Sequence, residues 1–271
     1  MDPKLQRRVQ RYGWDKASSS YERYWHQQLA PAQDRLIEIA AIREGDRVLD
    51  VACGTGLVTF RAADLAGRSG AVVATDISDA MIAALKEEAG RRRFSNVTAT
   101  RMDAEVLDLP DASFDIALCA LGLMYVPDAV AALREMRRVL RPGGRAVAAV
   151  WGPRHRCGWA EIFPIVESRV QSDVCPMFFQ LGVGDCLAGT LEKAGYRDVT
   201  AECVSTLLHY ESAEDACGAA FAGGPVALAY SRFDRTTRDA AHAEYLASIE
   251  RWRSGSAYDV PGEFVIASGV A

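Results

Sequence analysis

Three acidic residues, each at or just past the end of a short apolar run, and one glycine-rich loop are the residues best placed for chemistry. Asp50 closes Arg47-Val48-Leu49, and Val51-Ala52-Cys53-Gly54-Thr55-Gly56 follows at once. Asp76 closes Ala71-Val72-Val73-Ala74-Thr75, and Asp103 stands just after Val97-Thr98-Ala99-Thr100-Arg101. A glycine loop opening a helix suits a nucleotide, because free backbone N–H groups point at the ligand there. The dinucleotide form of that loop needs a third small residue, and Thr59 occupies its place. A carboxylate at 50 would also repel a pyrophosphate and attract an ammonium group. Asp76 is placed to accept from both ribose hydroxyls, with Ser78 available to cap the next helix. Asp103 is placed to accept from the exocyclic amine of adenine. A ligand carrying an amino acid, a ribose and an adenine satisfies all three acids, whereas NAD fits poorly.

The elements that must hold these residues alternate regularly. Strands are expected at 47–51, 71–76, 97–101, 114–119 and 145–150, with helices at 36–41, 57–65, 79–89 and 127–140. The last of these helices repeats apolar residues at helical spacing, and Arg141-Pro142-Gly143-Gly144 stops it. Strand–helix alternation predicts parallel pairing with right-handed crossovers. Ligands of such sheets bind beyond the carboxyl ends of the strands, which is where Asp50, Asp76, Asp103 and the stretch 119–125 fall.

Both flanks of this region read differently. Residues 1–30 hold Tyr12, Trp14, Tyr21, Tyr24 and Trp25. A helix over 18–29 places Tyr21, Tyr24, Trp25 and Gln28 on one face, as core packing or as a lid over a ligand. Beyond Trp151, the stretches 159–194 and 212–253 read as helical, and 199–210 and 263–267 as strands. The insertion between those strands suggests a cap over the ligand edge. The division expected is 1–30 as an aromatic lid, 31–152 as the binding core, and 153–271 as cap helices with the last two strands. The cap aromatics Trp151, Trp159, Phe163, Phe178, Phe179, Phe221 and Tyr230 suit either a packed core or the wall of an apolar pocket.

Seven cysteines include no CxxC pair. They read as buried free thiols, or, for Cys157, Cys175 and Cys186, as a soft-metal or metalloid site. The net charge of −5 and pI near 5.5 disfavour a nucleic-acid partner, and the short runs at 91–93 and 137–138 read as solvated helix surface. No secretory signal is evident, and the longest apolar run, 116–126, is too short for a bilayer, which needs about 20 residues. A soluble cytoplasmic protein is expected, and a homodimer is compatible with the sequence.

The stretch 48–56 resembles motif I of the class I S-adenosylmethionine-dependent methyltransferases, especially the ubiquinone and menaquinone C-methyltransferase branch. Asp76-Ile77-Ser78-Asp79-Ala80-Met81 is similar to its D-x-S-x-x-M segment. Asp103-Ala104, Leu109-Pro110 and Ser113-Phe114-Asp115 follow in the same order, then Leu121–Asp128 and Leu140-Arg141-Pro142-Gly143-Gly144. The resemblance covers about residues 12–152. It implies an α/β fold, a Rossmann-like, doubly wound seven-stranded sheet with a reversed last strand, plus helical cap elements. It also implies S-adenosyl-L-methionine as cofactor and S-adenosyl-L-homocysteine as product. By the same resemblance the loop residues Asp50, Ala52, Gly54 and Gly56 hold the methionine portion, and Asp76 the ribose. Ile77 and Met81 pack near the adenine, and Asp103 with Ala104 meets its edge. Cys119 and Leu121 lie near the sulfonium and ribose. Tyr21, or else Tyr12, reaches the cofactor carboxylate.

A sulfonium is already activated, so a general base is needed only if the methyl acceptor must lose a proton. His155, just past the fifth strand, is the first candidate and His209 the second. The leading expectation is methylation of a small apolar or aromatic molecule at O, N or C. A thiol or metalloid acceptor engaging the cap cysteines and a non-catalytic binding protein are the alternatives.

Overall fold

The computed structural model describes residues 2–170 and 178–271. Strands β1 (Arg47–Val51), β2 (Ala71–Asp76), β3 (Val97–Arg101), β4 (Phe114–Ala120) and β5 (Leu140–Trp151) pair in parallel. The crossovers are helices α2 (Thr59–Ala66), α3 (Asp79–Arg92) and α4 (Ala129–Val139). Two later strands, β6 (Arg197–Tyr210) and β8 (Ala257–Val270), complete the main path in the order β3-β2-β1-β4-β5-β8-β6. β8 runs antiparallel to both β5 and β6. The expected reversed strand is therefore present, lying second from the edge. A two-residue strand, β7 (Arg253–Ser254), pairs only with β8.

The central strands are apolar because both sheet faces are covered. Val48, Leu49, Ala117, Leu118, Val147 and Ala149 are buried. Order reverses between β1 and β4, so the carboxyl ends of β1, β2 and β4 open onto one crevice.

The N-terminal region departs from expectation. The two separate helices expected at 18–29 and 36–41 are one 38-residue helix, α1 (Pro3–Ala40), which runs through Pro31. A proline inside a helix loses one hydrogen bond and clashes with the preceding turn, costing about 3 kcal/mol. Leu29, Ala32 and Leu36 on the adjoining turns are buried, and each buried leucine contributes about 1.5–3 kcal/mol. Packing thus outweighs the local penalty. The last strand is also longer than the expected 263–267. Pro261-Gly262 reads as a turn signal, yet both lie within β8 opposite Leu207 and Thr206 of β6.

The remaining helices are α5 (Ile162–Glu167), α6 (Cys186–Lys193), α7 (Ala213–Cys217), α8 (Ala227–Tyr230) and α9 (Arg235–Ile249). A π-helical turn, Gly218–Ala222, follows α7. The insertion between β6 and β8 packs α8 and this turn against α1. Among the described residues, no helix is long and apolar enough to cross a membrane.

Candidate active site

The crevice is built on two buried carboxylates. Asp76, at the end of β2, accepts from the Gly54 N–H at 2.9 Å and the Ser78 N–H at 2.9 Å. It therefore pins the glycine loop to the start of α3. Burial raises its pKa to about 6, against the pull of those N–H groups. Asp50 in β1 is fully buried. Its Oδ2 accepts from the Thr59 hydroxyl at 2.6 Å, while its Oδ1 has no partner. Burial lifts Asp50 to about 7, the Thr59 bond opposing and the nearby Asp76 adding to the rise. Thr59 thus has a positive role in the loop as the partner of Asp50.

The backbone around the crevice adopts conformations that L side chains seldom take. Ala52 (φ 57°) and Leu121 (φ 64°) are both left-handed and both face the cavity. Such conformations persist only where the surroundings enforce them, and they cluster at functional sites. Leu121 is held by its N–H donating to the Ala149 carbonyl at 2.8 Å. Between these two segments stands Gly122, where a Cβ would lie 2.4 Å from Ala52 Cβ and 2.9 Å from Cys119 Sγ. Only glycine allows the loops after β1 and β4 to approach so closely.

Helix α1 closes the crevice from above. Arg7, Gln10, Trp14 and Tyr21 line it from one face of the helix, at the 3–4–7 spacing of a single helical stripe. Three further ties fix this helix to the rim. Arg7 bridges Asp103 at 2.8 Å and Glu105 at 2.7 Å. Arg11 pairs with Asp79. Asp15 accepts from the Ser78 hydroxyl at 2.6 Å and the Ala80 N–H at 3.2 Å. Ser78 caps α3 as expected, its Oγ accepting from the Met81 N–H.

The crevice holds about 720 Å³ of space and gathers Tyr21, Ala52, Gly54, Asp76, Ile77, Met81, Asp103, Ala104 and Leu121 on its wall. Asp50, Gly56 and Cys119 lie buried behind that wall. Burial, helped by Asp50, pushes the Cys119 thiol up to about 12, so it stays protonated. Loss of water and then the neighbouring Asp76 and Asp50 raise the Tyr21 phenol above its usual range. Tyr12, the alternative to Tyr21, is 49% exposed on another face of α1.

A second, smaller cavity of about 310 Å³ adjoins the first and shares Trp14, Tyr21, Leu121 and Tyr125 with it. Trp25, Trp151 and Trp159 form much of its wall. Gly224 and Pro225 from the insertion complete it. The three indoles stand edge to face, with centroids 4.9–6.1 Å apart. Phe163, Phe178 and Phe179 pack around Trp159, whereas Phe221 and Tyr230 pack elsewhere with His242.

The two histidine candidates lie outside both cavities. His155 is exposed in a separate polar groove with Arg154, Arg156, Arg251 and Glu263. His209 pairs through Nδ1 with Asp259 at 2.7 Å on the β6–β8 ribbon. The structure therefore brings neither to the crevice. Cys157 is buried and Cys186 exposed, while Cys175 lies outside the described residues. Among the described residues, no group of three His, Cys, Asp or Glu is arranged to hold a metal.

Trp14 falls in the expected aromatic lid, and Gly122 and Tyr125 in the expected stretch 119–125, whereas Arg7, Gln10 and Asp15 join the site without a signal at their own positions. The stripe 7–10–14–21–25 would have pointed to the α1 members once the helix was extended back past residue 18.

Residues 48–144 match a family model described as a methyltransferase domain. Aklanonic acid methyltransferase DauC of Streptomyces sp. strain C5 is 36% identical over 56% of this chain and 68% of its own length. A ubiquinone/menaquinone biosynthesis C-methyltransferase, UbiE of Shewanella frigidimarina, is 38% identical over 52% of this chain. The present chain spans only 54% of that relative's length. An N-methyltransferase from Haemonchus contortus, solved with phosphomonomethylethanolamine and S-adenosylhomocysteine, aligns at TM-score 0.61 and 18% identity. That alignment covers 94% of this chain and 57% of the other, a likeness of fold alone. The loop, the three acids and the relatives agree: the chain belongs to the class I S-adenosylmethionine-dependent methyltransferases, in the UbiE-like branch.

Proposed function

We propose that the enzyme methylates a small apolar or aromatic molecule, which sits in the aromatic cavity while the cofactor lies in the adjoining crevice. The observation that carries this reading is the shared wall. Trp14, Tyr21, Leu121 and Tyr125 face both cavities, so occupants of the two would meet there. The relatives' names point to different acceptors, aklanonic acid for one and ubiquinone/menaquinone biosynthesis for the other. The pocket is therefore the better guide.

The residues present fit the cofactor. Asp50 offers a buried, unpartnered oxygen behind the loop, suited to the ammonium end. Gly54 takes a left-handed backbone (φ 55°) that favours glycine, and it lines the crevice, so the loop offers a ligand bare backbone. Asp76 would hold the ribose, Ile77 and Met81 the adenine face, and Asp103 with Ala104 the adenine edge. When bound, S-adenosylmethionine supplies a methyl group on a sulfonium that leaves readily.

The chain's own contribution is alignment and dryness. Trp14, Tyr21 and Tyr125 would hold the acceptor in line with that methyl group, and positioning of this kind supplies much of a transfer rate. Their rings also suit a sulfonium through cation–π attraction. No step is assigned to His155 or His209.

Calorimetry with S-adenosylhomocysteine, then product analysis across phenols, quinols, amines, thiols and arsenite, tests the reading. Transfer to phenols or quinols, lost in Trp151→Ala with cofactor affinity retained, is the expected result, since Trp151 lines the second cavity and not the crevice. Transfer confined to thiols or arsenite would overturn it.

A further inference from the structure

We infer that the polar groove beyond the end of β5 is a second ligand site, which binds a small molecule carrying a phosphate or pyrophosphate group among Arg154, Arg156 and Arg251. It goes beyond the methyl-transfer reading and does not depend on it.

The groove holds about 700 Å³, within the range of roughly 300–1,000 Å³ common to small-molecule pockets. Its arginines come from two distant parts of the chain. Arg154 and Arg156 stand on a 3₁₀ turn that Pro153 opens after β5, and Arg251 on a second turn at the end of α9. Gly158 lets the two parts meet, because a Cβ there would lie 2.5 Å from Cη2 of Trp252. Ser205 of β6 and Gly262 and Glu263 of β8 add to the lining. No residue of this groove lines the crevice or the aromatic cavity. It is a separate place on the molecule.

Charge points to its occupant. The whole chain has a net charge of −5, yet three arginines face this groove against two glutamates. Those glutamates satisfy the arginines only in part. Arg154 reaches Glu161 at 3.5 Å with both side chains about half exposed, a pair worth little. Arg156 donates through Nε to the buried Glu263 at 3.1 Å, and the Ser205 hydroxyl donates to the same carboxylate oxygen at 3.3 Å. Glu263 thus orients Arg156 and leaves its two terminal nitrogens without a partner among the described residues. Arg251 has no carboxylate partner among the described residues, and its guanidinium lies 4.0 Å from the centre of the Trp252 ring. Stacking of this kind holds a guanidinium without using its N–H donors.

The groove therefore presents several oriented donors, and its one buried carboxylate is already engaged. Guanidinium forks match phosphate and carboxylate oxygens two at a time. A phosphate brings close to two charges and three acceptor oxygens, enough to meet three guanidiniums at once. A single carboxylate brings one charge and two oxygens. The chemistry favours phosphate.

The test is calorimetry on the full chain saturated with S-adenosylhomocysteine, so that the crevice is filled, titrated with inorganic pyrophosphate and with acetate. Pyrophosphate is expected to bind and acetate to bind far more weakly, with pyrophosphate affinity falling as sodium chloride is added. Arg154→Gln and Arg251→Gln should each weaken pyrophosphate about tenfold, the loss of one hydrogen bond to a charged group. Arg235→Gln removes a charge that is 95% exposed and outside the groove, and should leave the affinity unchanged. Retained cofactor affinity shows that each variant is folded. No binding at millimolar pyrophosphate overturns the inference without needing any variant. So does affinity unchanged in either groove variant, equal weakening by Arg235→Gln, or acetate binding as tightly as pyrophosphate.

Discussion

Thr59 shows how a residue can be read correctly as a type and incompletely as a partner. Its size argues against a dinucleotide loop, and that much is visible in the sequence. Its hydroxyl bond to Asp50 depends on how the loop turns between β1 and α2, which spacing does not reveal. Thr59→Val would leave both oxygens of a buried carboxylate unpartnered, which costs about 1–3 kcal/mol. Urea unfolding should read that loss, and unchanged stability would count against the Asp50–Thr59 pair.

The two raised carboxylates set a pH dependence. Their folded pKa values, about 7 for Asp50 and about 6 for Asp76, lie above the ordinary aspartate range. The free protein therefore gains stability from them that is fully present below about pH 4 and lost as pH rises through 6 to 7. Cofactor binding runs the other way, since an ammonium group and ribose hydroxyls need ionised acceptors. Affinity for S-adenosylhomocysteine should rise between pH 5 and 8, with Asp76→Asn removing part of the rise. A flat calorimetric profile would contradict these assignments.

At the scale of elements, α1 is the largest departure from the sequence. Pro31 reads locally as a boundary, and only the burial of Leu29, Ala32 and Leu36 keeps the helix whole. Replacing it tests that balance. Pro31→Ala restores a backbone donor and should stabilise the protein by about 1–3 kcal/mol; a lower melting temperature would show that Pro31 costs the packed helix nothing. The strands β1 to β4 were legible because buried parallel strands are short apolar runs bounded by loops. β8 was only partly legible, since Pro261-Gly262 interrupts its pattern while its pairing to β6 continues.

The ties from α1 to the rim have a kinetic consequence. Arg7 spans Asp103 and Glu105, and Asp15 holds the start of α3. A bound cofactor would leave only after these contacts open. Arg7→Ala should speed release of S-adenosylhomocysteine about tenfold in stopped-flow displacement. The ionic ties are partly exposed, so added salt should speed release from the parent as well. Release insensitive to both would mean that α1 does not cover the exit.

Across the whole molecule, the half read most fully from sequence is the half whose chemistry follows strand ends. Asp50, Asp76 and Asp103 stand at successive crossovers, so topology alone carries them to one edge. The acceptor side has no such rule. Trp14 and Trp25 come from α1, Trp151 from the end of β5, Trp159 from a short turn and Gly224 from the insertion. Residues so far apart meet only through tertiary packing, which periodicity does not report. The central claim is that cofactor and acceptor meet at the wall of Trp14, Tyr21, Leu121 and Tyr125. A crystal structure with S-adenosylhomocysteine tests it most directly. The expected arrangement has the ribose on Asp76, the adenine between Ile77 and Asp103, and the sulfur facing the tryptophan-lined cavity. A sulfur turned toward the groove that holds His155, or a ligand outside the crevice, would contradict it.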